Sequence, residues 1–455
     1  MATGAAQQPN IVYIDAHDLG DWLACYGRPY LSTPHLDQLA SEGALFSQYI
    51  ATAPICMPSR SAIYTGHMPH VTGVTGQFPL NSDEICLPMH LAKHGYETVL
   101  IGSVKVLNSP TWMGFERTIP VADRTLLAQT AADYLYSQRG QRNRPLHVFV
   151  SFQAVHRPYQ NTFDPAVAES MLVPSYLPNL PVVSKDLATL AYRVGLLDEQ
   201  LGLILNAVKA AGLQDTTLLL FTTDHGIAVA RAKHTLYDAG LKVALITKYP
   251  PLITPGSRYD DLLSNVDLLP TVLEIAGAPV PDGLHGSSFL RLLQGRSYES
   301  RSECFSEQTW GRRAGMQYYS PSRSIRSKGF KYIYNFSERP FFVDTDWLAR
   351  LGSDRAVVED RWGQPAPEEE LYDLYADQYE LHNLARDPVY AKARSYFHNT
   401  LFSFLERTQD PILRGPIPNV DGLPDIPLWV RQSDGSYTLR DCDPKVGSDA
   451  PFPAP

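Results

Sequence analysis

The chain has 455 residues, 44% of them hydrophobic and 19% charged, enough to bury one large core with a smaller partner or two to three domains of ~150 residues. Disorder, collagen and coiled coil are excluded on those figures. With 39 basic and 48 acidic residues the net charge is −9, which argues against a general nucleic-acid or anionic-membrane binder.

In chain order, short apolar runs at 11–14, 98–101, 147–152, 216–223 and 243–247 read as buried parallel strands. Each runs into polar or glycine-rich residues: Asp15 to Gly20, Gly102 to Lys105, His156 to Pro158, Asp224 to Gly226, and Lys248. Helical patterns lie between them. The clearest is predicted from an N-cap at Ser184 to about Ala211, with Gly212 as the stop and Leu187, Leu190, Val194, Leu197, Leu201, Leu205 and Val208 on one face. Alternating strands and helices predict an α/β fold, a large and mostly parallel sheet sandwiched by helices over residues 1–300. In such sheets ligands bind beyond the carboxyl ends of the strands, where those polar residues fall. Residues 301–409 read as a smaller α+β domain, with antiparallel strands at 326–334 and 370–374 and a helix at 390–407. The tail, 410–455, is rich in proline and aspartate. It wraps the surface or reaches a neighbouring copy, which keeps a homo-oligomer open.

No window approaches the ~20 apolar residues of a membrane span, and residues 1–9 have neither a basic start nor an apolar stretch, so no signal peptide is expected. Cys25, Cys56, Cys86, Cys304 and Cys442 are odd in number, scattered and without a CxxC pair. A disulfide scaffold or cysteine zinc cluster is therefore not expected, and reduced thiols in the cytoplasm are.

The segment Cys56-Met57-Pro58-Ser59-Arg60, with Thr65-Gly66 after it, carries the most chemistry. Pro58 suits the first turn of a helix and Gly66 its end. Cys56 then sits at a helix N-terminus, where free N–H groups and the dipole favour an anion or a thiolate. Arg60, four residues on, can return toward the same end. These residues alone leave two readings: a cysteine in an anion site, or an inert buried cysteine before a helix.

The C-x-P-S-R pattern with T-G after it resembles the signature of the type I sulfatases of the alkaline phosphatase superfamily. The likeness extends over nearly the whole chain: residues 10–20 resemble the opening strand and metal loop, Thr33-Pro34-His35-Leu36-Asp37 the TPNLD segment, and 221–226 the second metal loop. Residues 265–277 and 370–388 resemble two later segments. The resemblance implies that a formylglycine-generating enzyme oxidises Cys56 to an aldehyde. Its hydrate, beside a divalent cation, attacks sulfur with one hydroxyl and collapses through the other to release sulfate. It also implies the roles of particular residues. Arg60, Lys233 and His156 match the groups that hold sulfate, His156 also serving as leaving-group acid. His17, Asp18, Asp224 and His225, with Cys56, match the metal positions. Hard oxygen ligands favour calcium, with manganese, magnesium and zinc as alternatives.

The chain departs from this pattern twice. The opening loop has His17 where the family has a first aspartate. His17 either ligates, which shifts preference toward manganese or zinc, or orients Asp18, and a bulge could bring in Asp15. The G-K-x-H element is Gly102-Ser103-Val104-Lys105, so Lys105 is either a charge donor or leaving-group acid, or a surface lysine. His67 and His70 read as surface-loop residues or pocket lining, His94 as a helix cap, and His234, beside Lys233, as either a leaving-group contact or a residue without a role in the site. The expected function is hydrolysis of a sulfate ester or sulfamate on a small or saccharide substrate; Leu236-Tyr237-Asp238-Ala239-Gly240 and the His17-Asp18 opening resemble the N-sulfoglucosamine sulfohydrolase branch more than typical arylsulfatases. Two alternatives remain: a phosphonate monoester or phosphodiester hydrolase with the same nucleophile, and a non-catalytic binder of sulfated ligands.

Overall fold

The computed structural model describes residues 8–418 apart from 141, 159, 161, 314–315 and most of 338–365, and beyond 418 only the antiparallel pair Trp429–Arg431 and Tyr437–Leu439. Most of the expected 410–455 tail, including Cys442, lies outside the described residues.

The strands are, in chain order, β1 (Asn10–Ala16), β2 (Ala44–Phe46), β3 (Tyr49–Ile50), β4 (Glu97–Ile101), β5 (Arg117–Ile119), β6 (Leu146–Phe152), β7 (Thr217–Thr223), β8 (Leu245–Lys248) and β9 (Ser257–Tyr259). All but β3 build one eight-stranded sheet in the order β5-β4-β6-β1-β7-β8-β2-β9, and β3 pairs with β10 (Leu263–Ser264). The strands from β5 to β7 run parallel, with Asp15 beside Ser151 on one flank and Thr222 on the other. Alternation along β1 explains the sandwich. Val12, Ile14 and Ala16 face one apolar cluster with the long Pro181–Ala210 helix, while Ile11 and Tyr13 face another with Met57, Ile63 and Tyr64 of the Cys56–Thr65 helix.

Three expectations are corrected here. The run at 243–247 does not form a parallel strand: β8 pairs antiparallel with β7. The intervening segment stays at the carboxyl end of β7 and returns directly, without the crossover that a parallel neighbour needs. Lys248 therefore points away from the site and bonds Glu42 (2.5 Å). The long helix starts at Pro181, not after Ser184, because proline supplies its first residue at no hydrogen-bond cost. It still ends at Ala210, with Gly212 left-handed (φ +70°).

A second, four-stranded antiparallel sheet holds β11 (Cys304–Arg313), β12 (Met316–Arg326), β13 (Phe330–Asn335) and β14 (Glu369–Asp373) in that order. The stretch 326–334, expected as one strand, is the β12–β13 hairpin. It turns where Ser327 N–H donates to Phe330 O (2.9 Å). The Ala391–Arg407 helix packs on this sheet through Phe397, Leu401, Phe404 and Leu405. Among the described residues no helix is long and apolar enough to cross a membrane.

Candidate active site

Cys56 is the first residue of the Cys56–Thr65 helix. Ile55 before it is extended and offers no side-chain cap, so the first-turn N–H groups remain open toward the carboxyl edge of the sheet. Gly66 closes the helix in the left-handed region (φ +72°). Met57 to Thr65 are all buried, so Arg60 has no route to solvent and folds back under Cys56. Its Nε donates to Asp224 Oδ2 (3.2 Å), and its Nη1 donates to Asp15 and to Ser151 Oγ (3.3 Å).

The loops after β1 and β7 close the other side. Asp18 is left-handed (φ +54°), held there by its own N–H donating to Asp224 Oδ1 (3.0 Å). Lys233 Nζ donates to Asp18 Oδ2 (2.7 Å). His225 Nδ1 donates to Gly226 O (2.9 Å), which turns Nε2 toward Asp18 Oδ1 (3.2 Å) and Cys56 Sγ (3.3 Å). Gly226 must lack a side chain, since a Cβ there would stand 1.8 Å from Ala239 O. His156, in the loop after β6, bonds Arg157 O through Nδ1 (2.5 Å), its ring meets that of His17 edge-on at 5.8 Å, and it lies close enough to Cys56 and Asp18 to feel their charge.

The charges reinforce one another. Burial raises the Cys56 thiol, but Lys233 and His225 outweigh it and bring it down to about 6. Burial lowers His225, yet Asp224, Cys56 and Asp18 push it up to about 10. Asp18 raises His156 above its usual value. Lys105, half-buried and left-handed (φ +54°), is lowered by burial and then by Arg124 and Arg60, and it feels the charge of Cys56.

The donor set fits a divalent cation. One ligand atom each from His17, Asp18, Cys56 and Asp224 lies within 4.8 Å of the others, and His225 Nε2 borders the group. Burial keeps His17 neutral, and its Nδ1 is buried without a hydrogen-bond partner, 3.4 Å from Asp224 Oδ2. His17 thus faces Asp224 and Ser151 (Nε2, 3.3 Å), whereas the alternative reading had it orienting Asp18. The group identifies no particular ion.

Of the nine residues expected at the site, Cys56 and Arg60 lie on the Cys56–Thr65 helix, and His17, Asp18, Lys105, His156, Asp224, His225 and Lys233 lie on the loops after β1, β4, β6 and β7. Asp15, raised only as a stand-in by way of a bulge, needs none: it sits in the regular register of β1 and bonds Arg60. The sequence reading missed Ser151, whose hydroxyl lies between Arg60 and His17. It also missed Asn265 as a support: Asn265 Nδ2 donates to Ser59 Oγ (3.0 Å), and Ser59 Oγ donates to Asp224 O (2.5 Å). The only signal was that both lie in recognisable segments. His234 bonds Tyr318 Oη through Nδ1 (2.7 Å), so the second sheet reaches the site. His70 is no surface residue: it is buried against Glu307 (2.5 Å). His67 meets His285 (3.2 Å), and His94 caps the Leu87–Lys93 helix as expected.

The chain matches the Sulfatase family model over residues 9–278. The chain belongs to the sulfatase family. Residues 226–346 also match the model described as N-sulphoglucosamine sulphohydrolase, C-terminal. This type I sulfatase, a sulfuric ester hydrolase, is 30% identical over 437 residues to an ulvan-active sulfatase of Formosa agariphila (93% of this chain, 84% of that one). It is 28% identical over 471 residues to the N-sulphoglucosamine sulphohydrolase of Homo sapiens (90% and 92%). A putative sulfatase from Bacteroides thetaiotaomicron shares the fold, with TM-score 0.71 at 22% identity, over 92% of this chain and 96% of that one. A solved complex with the substrate D-glucosamine-2-N,6-O-disulfate also shares it, with TM-score 0.69 at 19% identity, over 90% and 99%.

Proposed function

We propose that this sulfatase cleaves a sulfate ester or sulfamate on a saccharide, with residue 56 as formylglycine and a divalent cation held by His17, Asp18 and Asp224. The observation that carries the reading is the convergence of His17, Asp18, Cys56 and Asp224 at one point, with Arg60, Lys233 and His156 around it. A hydrated aldehyde at 56 would supply a nucleophilic oxygen whose pKa the cation lowers. The chain's own groups do the rest. Arg60 and Lys233 present fixed positive charge to the sulfate oxygens in a buried site where it costs no reorganisation. His156, kept protonated by Asp18, donates to the leaving oxygen or nitrogen as its bond to sulfur breaks. Lys105, near enough to feel the charge of Cys56 and Arg60, would add a further cation to the site. The names of the sulfohydrolase and ulvan-active relatives, and the match over residues 226–346, favour a sulfated sugar and the sulfamate branch.

The test is sulfate release by aldehyde-bearing protein from N-sulfated glucosamine, from an O-sulfated sugar, and from a phosphate or phosphonate ester of a matched alcohol. Release from a sulfated sugar well above the phosphorus esters is expected, with Arg60→Ala slower by about 10²–10³. Preference for the phosphorus esters would overturn the reading, and binding of the sulfated sugars without turnover would leave only a lectin-like role.

A further inference from the structure

Arg60 is fully buried, and its three guanidinium nitrogens have different fates. Nε is spent on Asp224 Oδ2 (3.2 Å), while Nη1 is spent on Asp15 and Ser151. Nη2 is buried with no hydrogen-bond partner. Two separate carboxylates thus hold two corners of a planar fork and leave the third corner's donors unspent. Asp224 cannot hold the fork alone. Its Oδ1 accepts from the N–H groups of Asp18 (3.0 Å) and His225 (2.9 Å), and its Oδ2 also faces His17 Nδ1 (3.4 Å). The third carboxylate, Asp18, is engaged by Lys233 and His225.

Asp15 has no other ion-pair partner among the described residues. Strand alternation explains its aim. It shares parity with Ile11 and Tyr13, whose cluster includes the Cys56–Thr65 helix, and it lies between Ser151 and Thr222 in the ladder. In an otherwise apolar strand a carboxylate has no packing reason to be there, and burying one unpaired is costly. We infer that Asp15 is a positioning residue: it locks the Arg60 guanidinium so that Nη2 stays free for an oxygen of the anion bound at residue 56. This rests on the sulfatase reading for the identity of the anion, but the Asp15–Arg60 coupling does not.

The test is a double-mutant cycle on the matured protein, with Asp15→Asn, Asp15→Glu, Arg60→Ala and Asp15→Asn/Arg60→Ala. The readouts are kcat and KM on the sulfated sugar and melting temperature. Loss of a preorganised donor predicts that Asp15→Asn lowers kcat about 10- to 100-fold with KM within about threefold. Asp15→Glu should recover part of the loss, and Asp15→Asn should change kcat less than about twofold once Arg60 is gone. Unchanged kcat in Asp15→Asn, or an equal loss in both backgrounds, would overturn the inference. Melting temperatures decide it independently of substrate: Asp15→Asn should lower that of the wild type but raise that of Arg60→Ala, where it removes a stranded buried charge. A fall in both backgrounds would also overturn it. If the wild type releases no sulfate while the thermal cycle holds, the substrate reading fails and the Asp15–Arg60 coupling stands.

Discussion

His147 gives the sharpest physical prediction. It lies in the middle of the sheet on β6, 1% exposed, with both ring nitrogens unpartnered and its ring stacked on Phe115 (centroids 6.1 Å apart, planes 13° from parallel). Burial alone drives its pKa from 6.5 down to about 3. The sign follows: the folded state resists protonation, so the stability associated with neutral His147 is fully present above 6.5 and is lost as pH falls toward the folded value. A gap of about 3.5 units caps the loss at ~5 kcal/mol, and at pH 5 it is already ~2 kcal/mol. That is a large fraction of a typical folding free energy of ~5–15 kcal/mol. Because β6 also carries Ser151 and leads to His156, the site is lost with it. The assay is urea unfolding at pH 7 and pH 5 for the wild type and His147→Phe, which keeps an aromatic ring against Phe115. Comparing the two pH values within each protein cancels any packing cost of the larger ring. The variant should lose ~2 kcal/mol less than the wild type on acidification. An equal loss in both would refute the reasoning.

Two further outcomes follow from the site. His156 is protonated above its ordinary range, so its contribution should be present at lower pH and be lost as pH rises through that raised pKa. His156→Ala should abolish this alkaline limb and slow a sugar substrate by about 10²–10⁴, but slow a nitrophenyl sulfate far less, because that leaving group needs no proton. Gly226→Ala should yield protein with lost or severely reduced soluble expression, since the added carbon meets backbone at Ala239; a normally folded variant by circular dichroism would contradict the close approach.

The sheet was largely legible because strands buried on both faces are continuous apolar runs, and the loops after β1, β4, β6 and β7 could be found by what followed each run. Strand direction was not legible: the run at 243–247 has the composition of its parallel neighbours, and only the path of residues 224–244 decides that β8 returns antiparallel. Within the site, Cys56, Arg60 and the paired residues at 17–18 and 224–225 stood out because polar groups clustered in short segments. Ser151 did not, because it is a lone polar residue inside a strand, and Asp15 was noticed only as a stand-in ligand; each acquires its meaning from Arg60, which a different segment delivers. His70 failed for the same reason in reverse. Its partner Glu307 comes from β11, more than two hundred positions away, so a histidine that looks exposed in sequence is buried.

The most direct measurement is the mass of the proteolytic peptide carrying residue 56, taken from a preparation whose sulfate release has been quantified. A thiol replaced by an aldehyde, in an amount that tracks the activity across preparations made with and without the maturation enzyme, is the expected result. Full sulfate release from protein in which Cys56 remains an intact thiol would contradict the assignment of residue 56 as the nucleophile's source.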